Sequence, residues 1–128
     1  MTVAIGHQIE CIFCKIGSGV IPAKKLYEDE DFFCIRDIQP QAKVHLLVVP
    51  KLHVKSLEQL YDQKNKTLNG NLAGLLEKMF KVALEVVGQN GLLPGGFRSI
   101  INTGKDGGQT IAHLHLHLLG GEKLRESL

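Results

Sequence analysis

The chain has 128 residues, of which 44% are hydrophobic and 22% charged, a balance that suits one globular domain and excludes a disordered chain. Fifteen Lys and Arg against thirteen Asp and Glu leave a formal net charge of +2, with the signs interspersed, so we expect neither polymeric nucleic acid nor a membrane as partner. The apolar runs fall far short of the roughly 18 residues of a membrane span, and no secretion signal is visible.

The first two strands are predicted between residues 32 and 50. Phe32–Asp37 forms the first, and a turn at Ile38–Gln41 leads to the second, His45–Val49, which Pro50 stops. Strands this close in sequence are expected to pair antiparallel.

Two helices are predicted next. Ser56–Asp62 indicates a short helix with Ser56 as its cap. Asn71–Gln89 indicates a longer helix that Gly88 and Gly91 close. Its apolar residues recur at helical spacing and form one broad stripe: Leu72, Leu75, Leu76, Met79, Phe80, Val82, Ala83, Val86 and Val87.

The last third of the chain predicts two more strands around a glycine-rich turn. The strands are Phe97–Asn102 and Ile111–Leu119, and the turn is Thr103–Thr110. With the helices packed on one face of a mostly antiparallel sheet, the fold class is α+β. We expect a single domain with its core at about residues 9 to 121, flexible N-terminal residues and a short C-terminal tail.

The final strand carries three histidines two residues apart. Because successive side chains of a strand point to opposite faces, His113, His115 and His117 share one face, while the intervening leucines enter the core. Imidazole titrates near neutral pH, so such a row supplies nucleophiles, acids or metal ligands.

The turn before this strand indicates a phosphate site. Gly107 and Gly108 can direct several backbone N–H groups toward one point and so bind an anion, although a plain hairpin turn also uses Asp-Gly. A neutral histidine is a competent nucleophile toward phosphorus. The P-loop pattern is absent, so a phosphate site here would work through histidines and backbone dipoles.

The chain has three cysteines, an odd number that fits poorly with a disulfide framework. Cys11 and Cys14 have the spacing of a metal or redox pair in a reducing compartment, and we expect a cytoplasmic protein. Cys34 is predicted as a buried apolar filler. No specific role is expected for His7.

Together these residues closely resemble the histidine triad (HIT) superfamily, Hint branch. The resemblance rests on His-Leu-His-Leu-His-Leu-Leu at 113–119, Gly-Gly-Gln-Thr at 107–110, Ile-Pro-Ala-Lys at 21–24, Asp-Ile-Gln-Pro-Gln-Ala at 37–42, His-Leu-Leu-Val-Val-Pro-Lys at 45–51, His53 and Asn102. It covers roughly residues 9 to 121. It implies a HIT-like fold, in which a five-stranded sheet carries one long and one or two short helices, and a homodimer.

The resemblance also implies roles for single residues. His115 corresponds to the nucleophile, while His117 and Asn102 correspond to phosphate contacts. Gly108, Gln109 and Thr110 belong to the phosphate-binding loop, and the Thr110 hydroxyl can assist the leaving group. His45 corresponds to a histidine that supports the catalytic ones, although a purely structural, buried role is equally open. Asp37 and Ile38 match the ribose-binding strand end, and candidates for the apolar slot around the base are Phe13, Ile16, Phe33 and Ile35.

Metal-binding members of the family pair the two cysteines with two histidines. The matching set here is Cys11, Cys14, His53 and His113. Four such ligands would form a closed tetrahedral Zn²⁺ site, which is structural rather than catalytic.

The resemblance thus predicts a hydrolase of purine nucleoside phosphoramidates or acyl-nucleotides that binds an AMP- or GMP-like nucleotide and forms a nucleotidyl-histidine intermediate. Two alternatives remain open. One is a dinucleoside polyphosphate hydrolase, which the triad alone does not exclude. The other is a zinc-stabilised nucleotide-binding regulatory protein without useful turnover, although a pure binder would not need a nucleophile.

Overall fold

A computed structural model describes residues 10–126, and its main sheet has five antiparallel strands in the spatial order Tyr27–Glu28, Phe32–Arg36, Val44–Pro50, Leu116–Gly120 and Phe97–Ile100. His7 therefore lies outside the described residues. This sheet and the helices confirm the predicted α+β class. The elements in chain order are α1 (Ile12–Gly17), β1 (Tyr27–Glu28), β2 (Phe32–Arg36), β3 (Val44–Pro50), β4 (Tyr61–Asp62), β5 (Thr67–Leu68), α2 (Leu75–Gln89), β6 (Phe97–Ile100) and β7 (Leu116–Gly120).

The central strand β3 pairs with β2 on one side and with β7 on the other. Its side chains alternate between two cores. Leu46 and Val48 join the core under α2, whereas Leu47 and Val49 join a second core formed with Phe13 and Ile16 of α1. The sheet therefore has a helix on each face. The sequence analysis predicted no helix at α1, whose short apolar side covers the face of the sheet opposite α2, so the helices do not all lie on one face.

The helix predicted from Asn71 begins at Leu75. Residues Gly70–Leu72 form a separate 3₁₀ turn, because glycines at 70 and 74 weaken a continuous helix. At the other end Gly88 lies within α2, and the left-handed residue that follows the helix is Gly91, with φ of 73°. The apolar stripe is confirmed by buried Met79, Val82, Ala83, Val86 and Val87, whereas Phe80 is 41% exposed.

The predicted helix Ser56–Asp62 is reduced to a 3₁₀ turn at Leu57–Leu60. The Ser56 hydroxyl does not cap its backbone and donates instead to the carboxylate of Glu58. Tyr61 and Asp62 then leave the helical path and pair with Thr67–Leu68 in a separate two-stranded sheet. The segment is too short for an α-helix because this hairpin begins directly after it.

The strand predicted at Ile111–Leu119 joins the sheet only from Leu116 to Gly120. Before it, Leu114 donates its N–H to the Val54 carbonyl rather than to a neighbouring strand (2.6 Å). The alternation of side chains nevertheless holds, since Leu114, Leu116 and Leu118 all lie in the core under α2. Two of the three histidines thus precede the strand, on a segment held against residues 50–55.

Within residues 10–126, no helix has both the length and the apolar character needed to cross a membrane.

Candidate active site and metal centre

Two cysteines and two histidines, which come from three distant parts of the chain, lie close together in the fold. The possible ligand atoms of Cys11, Cys14, His53 and His113 all lie within 4.8 Å of one another. His113 Nδ1 is 3.2 Å from Cys11 Sγ, 3.7 Å from Cys14 Sγ and 3.1 Å from His53 Nδ1. Cys14 Sγ is 3.4 Å from His53 Nδ1. The predicted ligand set is therefore assembled.

The geometry of this cluster fits zinc. Tetrahedral Zn²⁺ with bonds of about 2.3 Å to sulfur and about 2.0–2.1 Å to nitrogen places neighbouring ligand atoms about 3.3–3.8 Å apart. The distances in the cluster fall around that range. The Nε2–H of His113 donates to the Pro50 carbonyl (2.7 Å), so in the neutral ring Nδ1 carries the lone pair and faces the cysteines. His113 is fully buried, and its hydrogen bond to Pro50 orients the Nδ1 lone pair toward the cysteines.

His115 is held with one ring nitrogen occupied. Its Nδ1–H donates to the carbonyl of His113 (2.7 Å), which leaves the lone pair of the neutral ring on Nε2. The ring of Phe13 contacts both His113 and His115 edge-on, at centroid distances of 5.5 and 5.2 Å. Orientation and tautomer of His115 are therefore set by the residue that also faces the two cysteines.

His117 and His45 form a second hydrogen-bonded chain. The backbone N–H of Gln41 donates to His45 Nδ1 (3.0 Å), so the proton of neutral His45 lies on Nε2. That Nε2 is 2.9 Å from His117 Nδ1, which must then accept and leave the His117 proton on Nε2. Asp37 Oδ2 also lies 3.4 Å from His45 Nε2. Gln41 thus sets the tautomer of His117 through His45.

The imidazole rings of His45 and His117 are both neutral at pH 7. Burial lowers the pKa of His117 to about 4, helped by the neighbouring His115 and His45 and opposed by Asp37. Burial also lowers the pKa of His45, while the Asp37 carboxylate raises it. His117 therefore offers its Nε2–H as a hydrogen-bond donor without carrying a charge.

The glycine-rich loop is closed by its own hydrogen bonds. Gly108 and Gln109 donate their N–H groups to the carbonyls of Lys105 and Gly104, at 3.1 and 3.0 Å. The predicted anion nest is therefore not built from the N–H groups of these two residues. Gly107 is required by close packing, because a Cβ there would lie 2.3 Å from the Thr103 carbonyl oxygen.

The Gln109 side chain joins this loop to the segment after β3. Its Nε2 donates to the carbonyls of Lys55 (2.6 Å) and Ile111 (2.9 Å), and its Oε1 accepts the N–H of Gly104 (2.9 Å). Gln109 was predicted to contact substrate, but these three contacts hold the loop in place. Binding a ligand through this amide would require them to rearrange.

The residues predicted to contact the nucleoside differ in how exposed their side chains are to solvent. Ile38 is 94% exposed at the end of β2, next to Asp37, whose carboxylate accepts the Gln39 N–H. Phe33 is fully buried, so it belongs to the core rather than to a slot surface. Phe13, Ile16 and Ile35 pack into the same buried cluster. Asn102 is partly exposed and Thr110 exposed.

Cys34 is a buried core residue, as predicted, and burial raises the pKa of its thiol to about 12.

Gln41 and Pro50 were missed as site residues by sequence reasoning. Both act through backbone groups, which any residue type possesses, so no side-chain pattern could have identified them.

Comparisons with known proteins show which proteins this chain is similar to. The family model described as "Scavenger mRNA decapping enzyme C-term binding" matches residues 10–126. Protein HitA of Neisseria gonorrhoeae is 43% identical over 110 residues, which cover 86% of this chain and 94% of that protein. The purine nucleoside phosphoramidase of Escherichia coli K12 is 35% identical over 115 residues, 90% of each chain.

Solved structures give the same picture. A histidine triad protein from Clostridium difficile superposes with a TM-score of 0.83 at 38% identity, covering 95% of this chain and 99% of that one. A HIT family hydrolase from Legionella pneumophila gives a TM-score of 0.80 at 38% identity, with 91% and 97% coverage.

Proposed function

Because this chain belongs to the histidine triad family, we propose that it is a nucleotide-binding hydrolase that cleaves purine nucleoside phosphoramidates and acyl-nucleotides through a nucleotidyl intermediate on His115. The observation that carries the proposal is the Nδ1–H bond from His115 to the His113 carbonyl, which leaves Nε2 as a fixed nucleophile. The similarity to a curated purine nucleoside phosphoramidase supports the choice of reaction.

In the first step the lone pair of His115 Nε2 forms a bond to the α-phosphorus, and the P–N bond to the leaving amine breaks. The ring becomes cationic, and its Nδ1–H bond to the His113 carbonyl stabilises that charge. The Nε2–H of His117 and the side chain of Asn102 donate to the phosphate oxygens. The leaving nitrogen takes up one proton. This proton comes from solvent and is passed on by the Thr110 hydroxyl.

In the second step water attacks the same phosphorus and the bond to His115 Nε2 breaks, returning its electron pair to the ring. The water proton is released, so the two steps together consume one water and leave the proton count of the protein unchanged. The nucleoside monophosphate is the product that departs.

The nucleoside is proposed to lie over the end of β2. Asp37 accepts hydrogen bonds from the ribose hydroxyls, and the exposed side chain of Ile38 covers the base. The ring of Phe13 packs edge-on against the ring of His115 and helps to hold it in position. Gly108 and Gln109 shape the phosphate loop.

We further propose that Cys11, Cys14, His53 and His113 hold structural Zn²⁺. When bound, the metal neutralises the two thiolates and fixes four side chains from separate segments. His113 then acts on catalysis only through its backbone carbonyl, which positions His115.

A homodimer and a cytoplasmic location complete the proposal. Strand β6 is an edge of the main sheet, and Phe80 and Leu84 of α2 are exposed apolar side chains, as expected for surfaces that a second copy covers. Sedimentation should then give twice the mass of the chain. Within residues 10–126 none of the three cysteines forms a disulfide, which suits a reducing compartment.

The test of the proposed function is replacement of the nucleophile. His115→Ala should lower kcat for adenosine phosphoramidate by at least about a thousandfold, since covalent catalysis is lost while nucleotide binding remains. Labelled nucleotide trapped on the wild type by rapid denaturation at alkaline pH, at which the P–N bond of a nucleotidyl-histidine survives, should map to His115 by mass spectrometry.

The matched control is Gln63→Ala, a change at an exposed position of the β4–β5 turn. It should leave both turnover and labelling unchanged. Near-normal turnover of His115→Ala, or label on another residue, would overturn the mechanism.

A further inference from the structure

Asp37 and His45 lie next to each other at the end of a pair of strands. Asp37 directly follows β2, and its N–H donates to the carbonyl of His45 in β3 (2.9 Å). On the other side of β3, His45 is paired with Leu119 of β7, two positions beyond His117. Residues in this diagonal relation share one face of a sheet, so the topology brings the carboxylate and both imidazoles together.

The Nε2–H of His45 has two acceptors within reach. His117 Nδ1 lies 2.9 Å from this nitrogen, and Asp37 Oδ2 lies 3.4 Å from it. The ring of His45 is buried, and the Gln41 N–H holds its other nitrogen, so it does not turn away from either acceptor. An N–H that is shared between two acceptors donates less fully to each of them. The carboxylate therefore weakens the hydrogen bond from His45 to His117.

The two oxygens of the Asp37 carboxylate have different contacts. Oδ1 accepts the Gln39 N–H (2.9 Å), which fixes the carboxylate, whereas Oδ2 faces His45. The Asp37 side chain is 20% exposed, while that of His45 is only 4% exposed. Asp37 therefore connects the solvent, from which a ligand arrives, with a histidine that the ligand does not touch.

The negative charge of Asp37 acts on both rings. Burial is the largest influence on the pKa of His45 and on the pKa of His117 and lowers both, while the Asp37 carboxylate acts on both in the opposite direction. A hydroxyl that donates to the carboxylate would draw off part of its negative charge and reduce this attraction. Both rings would then be better hydrogen-bond donors.

We propose that Asp37 is a positioning residue that makes the rate of the chemical step depend on the ribose of the substrate. When the ribose hydroxyls donate to the carboxylate, the Nε2–H of His45 donates fully to His117 Nδ1. This withdraws electron density from the His117 ring, so its Nε2–H becomes a stronger donor to the phosphate oxygens, whose negative charge grows in the transition state. Each proton stays on its own nitrogen, and only the acceptor changes.

This inference rests on the proposed function and deepens it. Substrates whose sugar carries both hydroxyls would be selected at the chemical step as well as in binding.

Two substrates that differ only in the sugar test the inference. Adenosine 5′-phosphoramidate has both ribose hydroxyls, and 2′,3′-dideoxyadenosine 5′-phosphoramidate has neither. For the wild type, loss of the hydroxyls should raise KM, because the contact with Asp37 is lost. It should also lower kcat by roughly fivefold, about the effect of one hydrogen bond. A residue that served binding alone would change KM and leave kcat as it is.

His45→Gln tests whether the sharing of one N–H causes the effect on kcat. The terminal amide of glutamine has two N–H groups, so it can donate to Asp37 and to His117 at the same time. In this variant kcat should be the same for both substrates, while the effect of the sugar on KM remains. His45→Phe has no N–H to donate, and we expect a low kcat for both substrates.

Asp37→Asn removes the charge and keeps the shape of the side chain. The neutral amide oxygen attracts the His45 N–H less strongly, so the difference in kcat between the two substrates should disappear. Glu30→Gln, which removes an exposed carboxylate from the turn between β1 and β2, is the matched control. It should retain the difference in kcat.

NMR on the wild type measures the same coupling without turnover. Adenosine and 2′,3′-dideoxyadenosine have no phosphate to place against His117. Adenosine at a saturating concentration should shift the ¹⁵N resonance of His117 Nδ1 upfield, because this nitrogen then accepts a stronger hydrogen bond. Saturating dideoxyadenosine should leave the resonance in place.

The outcomes separate the two proposals. If neither phosphoramidate is hydrolysed, the proposed function fails, and this inference with it. If adenosine 5′-phosphoramidate is hydrolysed but the sugar changes KM alone, only this inference fails. It also fails if His45→Gln keeps the difference in kcat, or if both nucleosides shift the His117 resonance equally, since the effect of the ribose would then bypass the shared N–H.

Discussion

Single histidines of this site differ in role because each has a different hydrogen-bond partner. His113 donates to Pro50, His115 donates to His113, and His117 accepts from His45. In a neutral imidazole one bonded nitrogen determines the state of the other. Three identical side chains therefore present three different groups: a lone pair that faces the cysteines on His113, a lone pair on Nε2 of His115 and an N–H donor on Nε2 of His117.

At the scale of the residue, we predict that His117 stays neutral well below its usual pKa. Long-range ¹⁵N–¹H NMR at pH 7 should show its proton on Nε2, and its titration midpoint should lie below pH 5, since burial and the neighbouring His115 and His45 outweigh the attraction of Asp37. A midpoint near 6.5 would contradict the prediction. A short peptide of residues 115–119 provides the unfolded reference.

The lowered pKa of His117 makes the free energy of unfolding depend on pH. Because the pKa of His117 is lower in the folded than in the unfolded chain, the unfolded chain binds the proton first as the pH falls. The contribution of this group to folding is thus complete above pH 6.5 and is lost between 6.5 and about 4. His117→Gln should remove part of that loss in urea titrations across this interval.

The roles of the histidines could be predicted from sequence only in part. The family resemblance implied a nucleophile at His115, but the tautomers depend on the backbone N–H of Gln41 and the carbonyl of Pro50. Backbone groups are the same in every residue, so only the folded path of the chain reveals which of them faces a ring.

At the scale of the element, the glycine-rich loop depends on one side chain that spans two segments. Gln109→Glu replaces two N–H donors to the Lys55 and Ile111 carbonyls by a carboxylate that these carbonyls repel. We expect AMP affinity, measured by calorimetry, to fall roughly tenfold, as the loss of two hydrogen bonds of about 1 kcal/mol each allows. The control Gln63→Glu should bind AMP as the wild type does, and unchanged affinity in Gln109→Glu would show that the loop holds its shape without this amide.

Side-chain alternation was easier to predict than strand pairing. Leu114, Leu116 and Leu118 face one core in any extended segment, so their burial follows from the period of two residues. Where pairing begins depends on the ends of the neighbouring strands β3 and β6, which local sequence does not specify. The short helix α1 shows the same limit, since its few apolar residues fit either face of the sheet.

At the scale of the whole molecule, the cluster of Cys11, Cys14, His53 and His113 connects segments that are 102 residues apart in sequence. Cys11→Ser with Cys14→Ser should abolish zinc binding, which we expect at about one per chain, and lower Tm on the order of 10 °C, because metal binding to the folded site adds directly to stability. Elemental analysis and calorimetry measure the two effects.

Cys34→Ala is the matched control, because this cysteine is buried in the core and lies outside the cluster. It should retain zinc. A double variant with the Tm and metal content of the wild type would rule out a structural metal.

The strand order has a consequence for the newborn chain on the ribosome. β3 lies between β2, its near neighbour in sequence, and β7, the last strand that the structure describes. Until β7 has emerged, β3 exposes one full edge of unpaired, largely apolar strand, the kind of surface to which other unfinished chains add. Chains truncated shortly before residue 116 would therefore aggregate rather than form a smaller folded protein, so synthesis of β7 is a condition for solubility.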